Sequence, residues 1–359
     1  MGVDQAWRGS VIAGQPAQAR LASLTRLRLL FIGWVLIYHL ELALNALPGV
    51  PLLEPVVLRG YLGVDGFFVL SGFALFLGYH ARPPAGLAGW ARFVAGRAAR
   101  IWPLHAMALV ALAALVAAVV SLGQQIEEPD RFGLNAFVLQ ALLLNAWETS
   151  ELHSWNYPSW ALSAIWAGYL AFPLILAGIL RLRPAAMAWL AATSLAGLFL
   201  LAARDPGAGL NWSLHLGLVR FACGFVLGIT LARLFVAGAA PLAAAQAGLL
   251  LLPAGLAIGS DPLVVAGMAA LILFCAVRES GRPAMARPRD LAWRLGEASF
   301  GVYLCWVFVE GALVLVLRVA EPSQAERLLL MVGGLGLTLA LGWLAWRLVE
   351  VPAARLLGR

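Results

Sequence analysis

Apolar residues run along this chain in long unbroken stretches, and the polar positions collect between them. Ten stretches approach or exceed the ~20 residues an α-helix needs to cross a ~30 Å hydrocarbon core. They are 29–47, 58–79, 101–122, 159–180, 184–202, 213–235, 242–259, 262–278, 295–317 and 328–348. The pattern predicts an all-α, polytopic membrane bundle of about ten transmembrane helices. An eleventh apolar stretch, 134–147, is too short to cross and lies between the polar segments Gln124–Arg131 and Glu148–Pro158. It reads as a re-entrant or interfacial piece on the outer side. Residues 1–27 are mixed and polar, without a signal cleavage pattern, and read as a cytoplasmic arm. No low-complexity linker or internal repeat divides the rest, so 28–357 is expected to be one transmembrane domain with no fused extracellular domain.

Charge placement orients the bundle. All 25 basic residues are arginine. With the N-terminus inside, 19 arginines fall in inner segments and 5 in outer ones, and Arg220 lies within a span. This is the positive-inside bias, and it places both termini in the cytoplasm. Composition agrees: 62% of residues are hydrophobic, 12% are charged and mean hydropathy is +0.87. That excludes an ordinary soluble globule and a disordered chain. The net charge of +7 belongs to topology rather than to nucleic-acid binding, so the expected partner is the lipid bilayer. Cys223, Cys275 and Cys305 all sit in apolar runs and make neither a disulfide nor a metal framework; no metal site is expected.

Ionisable residues within spans are costly and are functional candidates by default. Arg28 and His39 are eleven residues apart, within about 20° of three full helical turns and ~16 Å along the axis. They share one face, the arginine near the inner surface and the histidine near mid-membrane, which suits a ligand entering from the cytoplasm. The bland alternative is a helix-end arginine and a buried histidine. Asp65 lies ~9 Å in from the outer end of the second span, at a depth from which it is expected to orient His39. Arg97 and Arg100 form an i, i+3 pair, either a fork suited to phosphate or loop arginines that only set topology.

These pieces, with others, follow one order. Arg-x10-His runs from Arg28 to His39. Gly-x-x-Gly-Val-Asp-x-Phe-Phe-x-x-Ser-Gly spans Gly60 to Gly72, with Ser71 inside it. Arg-x-x-Arg-Ile-x-Pro spans Arg97 to Pro103. A Trp-Ser-Leu-Ser element stands as Trp160-Ala161-Leu162-Ser163, with Tyr169 and Pro173 after it. Arg220 to Gly228 gives Arg-Phe-x-x-Gly-Phe-x-x-Gly. Leu295 to Leu304 carries Ser299 and Tyr303. Val349 to Arg355 gives Val-Glu-x-Pro-x-x-Arg. The chain thereby resembles the acyltransferase-3 family of bacterial membrane O-acyltransferases. Two positions depart from that family: Ile165 replaces a glutamate and Trp306 a histidine.

The resemblance implies transfer of a short acyl group, commonly acetyl, from cytoplasmic acyl-CoA, with acetyl-CoA the usual co-substrate. The acceptor would be a hydroxyl of a surface polysaccharide or lipid-linked sugar at the bacterial inner membrane. Arg28, Arg97 and Arg100 would hold the donor phosphates. His39 would be the base, or be acylated transiently, with Asp65 beside it. Ser71, Trp160, Ser163, Tyr169, Arg220, Ser299 and Tyr303 are the expected substrate contacts, and glycan-assembly proteins or a second copy of the chain the possible protein partners. Two rival readings use the same residues. One is a transporter or flippase of lipid-linked sugars, with His39, Asp65 and Arg220 as a relay. The other is an inactive member that acts as a binding partner.

Overall fold

The structure is a computed structural model, which describes residues 21–48, 53–123, 125, 128–280 and 290–357. The proposed arm therefore lies outside the described residues up to position 20. Every regular element among the described residues is helical, as expected where backbone groups in lipid must be satisfied within the segment. The elements are α1 (Ala22–Leu44), α2 (Glu54–Val57), α3 (Gly63–Tyr79), α4 (Gly86–Ser121), α5 (Leu134–Ala141), α6 (Ser159–Arg181), α7 (Pro184–Arg204), α8 (Gly217–Val236), α9 (Leu242–Gly248), α10 (Leu251–Ile258), α11 (Asp261–Ser280), α12 (Leu291–Glu297), α13 (Ser299–Val319), α14 (Gln324–Ala345) and α15 (Val351–Leu357). A π-helical turn, Trp346–Glu350, joins the last two.

Nine helices among the described residues are long and apolar enough to span a membrane. The expected span 242–259 is instead the broken pair α9 and α10. Pro253 has no N–H to give the Leu249 carbonyl, and its ring crowds that carbonyl, so the helix breaks at Leu249–Leu250. The pair still runs from the inner end of α8 to Asp261. There Asp261 accepts from Arg59 Nε (3.2 Å), Tyr61 OH (2.6 Å) and Leu210 N–H (2.8 Å), tying three outer segments together.

Two boundaries differ from expectation. Residues 22–27, assigned to the arm, are the first turns of α1. Glu279 of α11 accepts from the backbone N–H groups of Ala22 and Ser23, both at 3.0 Å, and from the Ser23 hydroxyl. A carboxylate satisfying orphan donors at the positive helix end holds that start. The span expected at 101–122 begins at Gly86, and α4 is 36 residues long, about 54 Å by helical rise. Pro103 lies inside α4 without ending it, because packing in a membrane bundle tolerates the lost hydrogen bond.

The hub is α3, whose glycines bring neighbouring backbones into contact. A Cβ on Gly72 would stand 2.0 Å from the Phe225 carbonyl oxygen, and one on Gly228 would stand 1.9 Å from that of Val69. Small residues at such positions are how helices approach closely in lipid. Likewise, Gly60 lies against the backbone of Trp34 and Gly63 against that of Phe31. The outer end of α3 thus meets α1 at its middle.

The outer segment 134–147 does not cross, as expected. It forms α5 and a turn, but the dip continues past residue 147 to Pro158. Trp102 Nε1 donates to the Ala141 carbonyl at 2.9 Å, and Asn156 Nδ2 to that of Leu304 at 3.2 Å. Irregular backbone at this depth is tolerated because it is buried in protein and held by hydrogen bonds from Trp102, Ser163 and Asn156, although Gln140 Oε1, Asn145 Oδ1 and Asn156 Oδ1 have no partner among the described residues.

Candidate active site

An open-ended cavity of about 160 Å³ lies between α1, α3, α4, α6 and α13. Arg28, Arg97 and Arg100 line it, and so do Ser71, Tyr169, Ser299 and Tyr303. Seven of the residues expected from sequence therefore share one pocket. Arg28 NH1 lies 3.6 Å from Glu297 Oε1, and neither Arg97 nor Arg100 has a carboxylate within 4.0 Å among the described residues. Arg97 instead rests over the rings of Tyr79 and Phe93, at 5.9 and 5.8 Å. Three guanidinium groups face one lining carboxylate, Glu297, with Glu350 close enough to interact with Arg28 and Arg100. The pocket keeps a net positive charge that suits a polyanion. The opposite wall is apolar, with Phe67, Phe68, Leu162 and Ile165. Ile165 is the first departure from the family pattern, and it leaves this wall without a carboxylate.

His39 does not line that cavity; it is packed among aromatic rings further out along α1. Tyr303 lines the cavity, and its hydroxyl donates to the Pro158 carbonyl at 2.6 Å. One turn further along α13 is Trp306, the second departure. Its ring stacks on His39, with centroids 4.1 Å apart and planes at 28°. The rings of Tyr38 and Tyr157 stand edge-on to His39, at 4.9 and 6.1 Å. Trp306 is 3% exposed, so it does not offer a free face for a sugar. It sets the plane of His39, which has no hydrogen-bond partner among the described residues.

The expected Asp65–His39 pair does not form. Because Gly60 and Gly63 seat α3 against Trp34 and Phe31, Asp65 lies level with Phe31 to Val35. That is about 6 to 12 Å inward of His39. Its carboxylate turns to α8, where Arg220 meets it with Nε–Oδ1 at 2.9 Å and NH2–Oδ2 at 2.5 Å. Arg220 also donates to the carbonyls of Trp212 (2.9 Å) and Tyr61 (3.2 Å), with Trp160 5.4 Å from its guanidinium carbon. Both ends of the pair are fully buried. Arg220 and Trp160, expected at the substrate, are thus part of a closed structural network with Asp65. Ser163 is also structural: it donates to the Leu143 carbonyl (2.7 Å) and accepts from Ala146 N–H (3.2 Å), fixing the re-entrant loop.

Motif reasoning passes over the outer neighbours of His39. Tyr157 donates to Glu310 Oε2 at 2.9 Å, and burial raises its phenol above the ordinary value, with Glu310 adding to the rise. The His153 ring is 5.8 Å from that of Tyr157, and its Nε2 is 3.1 Å from Ser213 Oγ. Burial lowers the His153 pKa, and Arg131 lowers it further. Nearby, Glu148 accepts from His215 Nδ1 (2.9 Å) and Leu216 N–H (2.6 Å), and is held below the usual carboxylate range chiefly by His215. Glu310 was open to discovery from sequence, since it is a carboxylate within an apolar run. Tyr157 carried no such signal, while Trp306 stood out only as a departure from the family pattern.

A family model described as an acyltransferase domain matches residues 21–347. A curated relative, "Acyltransferase MdmB" from Streptomyces mycarofaciens, is 30% identical, over 96% of this chain and 94% of that protein. No solved structure matches.

Proposed function

Given that the chain belongs to the acyltransferase-3 family of membrane enzymes, we propose that it moves a short acyl group, acetyl foremost, from cytoplasmic acyl-CoA to a sugar hydroxyl. The acceptor is a surface polysaccharide or a lipid-linked sugar, and the enzyme works in the inner membrane. The observation that carries this reading is the pocket of Arg28, Arg97 and Arg100, in which three guanidinium groups outnumber the carboxylates Glu297 and Glu350 that face them. Bidentate guanidinium groups suit the phosphates of CoA. The apolar wall suits its arm, which would carry the thioester towards Tyr303 and, one turn beyond it on α13, the Trp306–His39 stack.

There His39 acts as general base. It takes the proton of the acceptor hydroxyl as the oxygen attacks the thioester carbon. A ring without a fixed donor or acceptor partner is free to take that proton. The tetrahedral oxyanion needs a donor, and Tyr303, which lines the pocket, supplies it by turning its one hydroxyl proton away from the Pro158 carbonyl. As the carbon–sulfur bond breaks, His39 returns the proton to the thiolate and CoA leaves as the thiol. Trp306, in contact with the imidazole face, favours the transient imidazolium by a cation–π interaction.

The test uses the full chain in membrane vesicles with radiolabelled acetyl-CoA, followed by mass spectrometry of glycans and lipid-linked sugars. Label and a discrete acyl mass should appear with the wild type and vanish with His39→Ala at equal protein level. Full labelling by His39→Ala would remove His39 as the base. Loss of whole glycan in a deletion strain, with no acyl mass involved, would move the transport reading ahead.

A further inference from the structure

Three side chains of α13 mark a path through the bundle. Tyr303, Trp306 and Glu310 recur at i, i+3 and i+7, which is one helix face. Tyr303 bounds the arginine pocket, Trp306 carries His39, and Glu310 stands one turn further out. The Glu310 carboxylate has one neutral hydrogen-bond partner, Tyr157 OH, and no cation within 4.0 Å among the described residues. A carboxylate offers about four acceptor positions, so most of its capacity is open. Holding such a group within an apolar span is costly and marks a functional role. Glu310 and Tyr157 both remain partly exposed, and the Tyr157 ring is also edge-on to His39. Loop residues His153 and Ser213 continue the polar lining outward.

We propose that the Tyr157–Glu310 pair is the acceptor-binding site and takes a polyhydroxylated sugar entering from the outer side. The assignment rests on the acyl-transfer reading above. Glu310 accepts from a sugar hydroxyl next to the reacting one, and Tyr157 closes over the ring. The reacting hydroxyl is thereby presented to His39. Its oxygen forms the new bond to the acyl carbon, the carbon–sulfur bond breaks, and the hydroxyl proton passes through His39 to the leaving thiolate. No further reactant is required.

The experiment measures transfer from radiolabelled acetyl-CoA by the full chain in vesicles, with the host's extracted glycan and lipid-linked sugar fractions added at increasing amounts. Glu310→Gln, which removes the charged acceptor, and Tyr157→Ala, which removes the covering ring, should raise the half-saturating amount of acceptor about 10- to 100-fold, the range for losing a hydrogen bond to a charged group. The KM for acetyl-CoA and the rate at saturating acceptor should change little, and Glu310→Asp should recover part of the affinity. Label in the organic extract identifies a lipid-linked sugar as the source of the hydroxyl, and label in the aqueous extract a free glycan; either supports the site. Unchanged acceptor dependence in both variants overturns it, as does a loss confined to the rate at saturation. If the wild type itself transfers no label, the acyl-transfer reading falls and takes this assignment with it, a result seen before any variant is compared.

Discussion

Arg220 grips Asp65 with two parallel hydrogen bonds, at 2.9 and 2.5 Å, where neither side chain is exposed. The pair links α3 to α8 about two helical turns before the point where Gly72 and Gly228 bring the backbones together. Breaking it from one side leaves an uncompensated buried charge, which costs about 3–5 kcal/mol. Asp65→Ala and Arg220→Ala should therefore each destabilise the folded protein by that order. An Asp65→Leu/Arg220→Leu double variant should fall well short of the sum. Thermal unfolding in detergent checks this. A well-folded Asp65→Ala protein with no transfer activity would instead place Asp65 in the chemistry.

Trp306 is the surface on which His39 rests. A stacked aromatic pair contributes about 0.5–1.5 kcal/mol beyond area burial. Trp306→Ala should therefore lower the turnover rate about 2- to 10-fold with an unchanged KM for acyl-CoA, and Trp306→Phe should recover part of the loss. A rise in donor KM in place of the rate loss would assign Trp306 to the donor site.

The arginines should behave in the opposite way. Arg28→Gln, Arg97→Gln and Arg100→Gln should each raise the donor KM about 10- to 100-fold, as expected for charge-assisted contacts. The effect should shrink in high salt most for Arg100, which is exposed. Coenzyme A protection of the pocket from arginine-directed reagents provides a second readout.

Close approach of α3 and α8 leaves no room for a methyl group. Gly72→Ala and Gly228→Ala would each set a Cβ about 2 Å from a carbonyl oxygen, far inside van der Waals contact. Each should reduce folded protein sharply, whereas Gly78→Ala, which meets nothing within 4 Å, should be tolerated. The yield of monodisperse protein after extraction reports this.

Acid should loosen the inner end. Asp290 caps α12 through Trp293 N–H (2.9 Å) and pairs with Arg26 NH2 (2.7 Å), and these contacts hold its carboxyl down to about 2, with Arg26 the larger cause. A group depressed in the folded state stabilises above its unfolded value, about 3.9. That contribution is lost as pH falls through the folded value. The Tm should therefore decline between about pH 4 and pH 2, and less steeply in Asp290→Asn.

The sequence by itself determined the class of fold, because a run of ~20 apolar residues has few options in lipid other than a helix. It also determined the sidedness expected from arginine placement, and the pocket arginines, since Arg28, Arg97 and Arg100 lie where apolar helices emerge. Local signals sufficed there. It could not determine the register between helices. The contact of Gly60 and Gly63 with Trp34 and Phe31 slid α3 inward relative to α1, took Asp65 away from His39 and gave it to Arg220. Helix periodicity assigns a residue its face and its height along its own axis, but nothing in it sets one axis against another. That offset comes from side-chain packing across the whole interface. The same packing stacked Trp306 on His39, folded the loop to Pro158 into the bundle, and brought Tyr157 to Glu310 from 153 positions away.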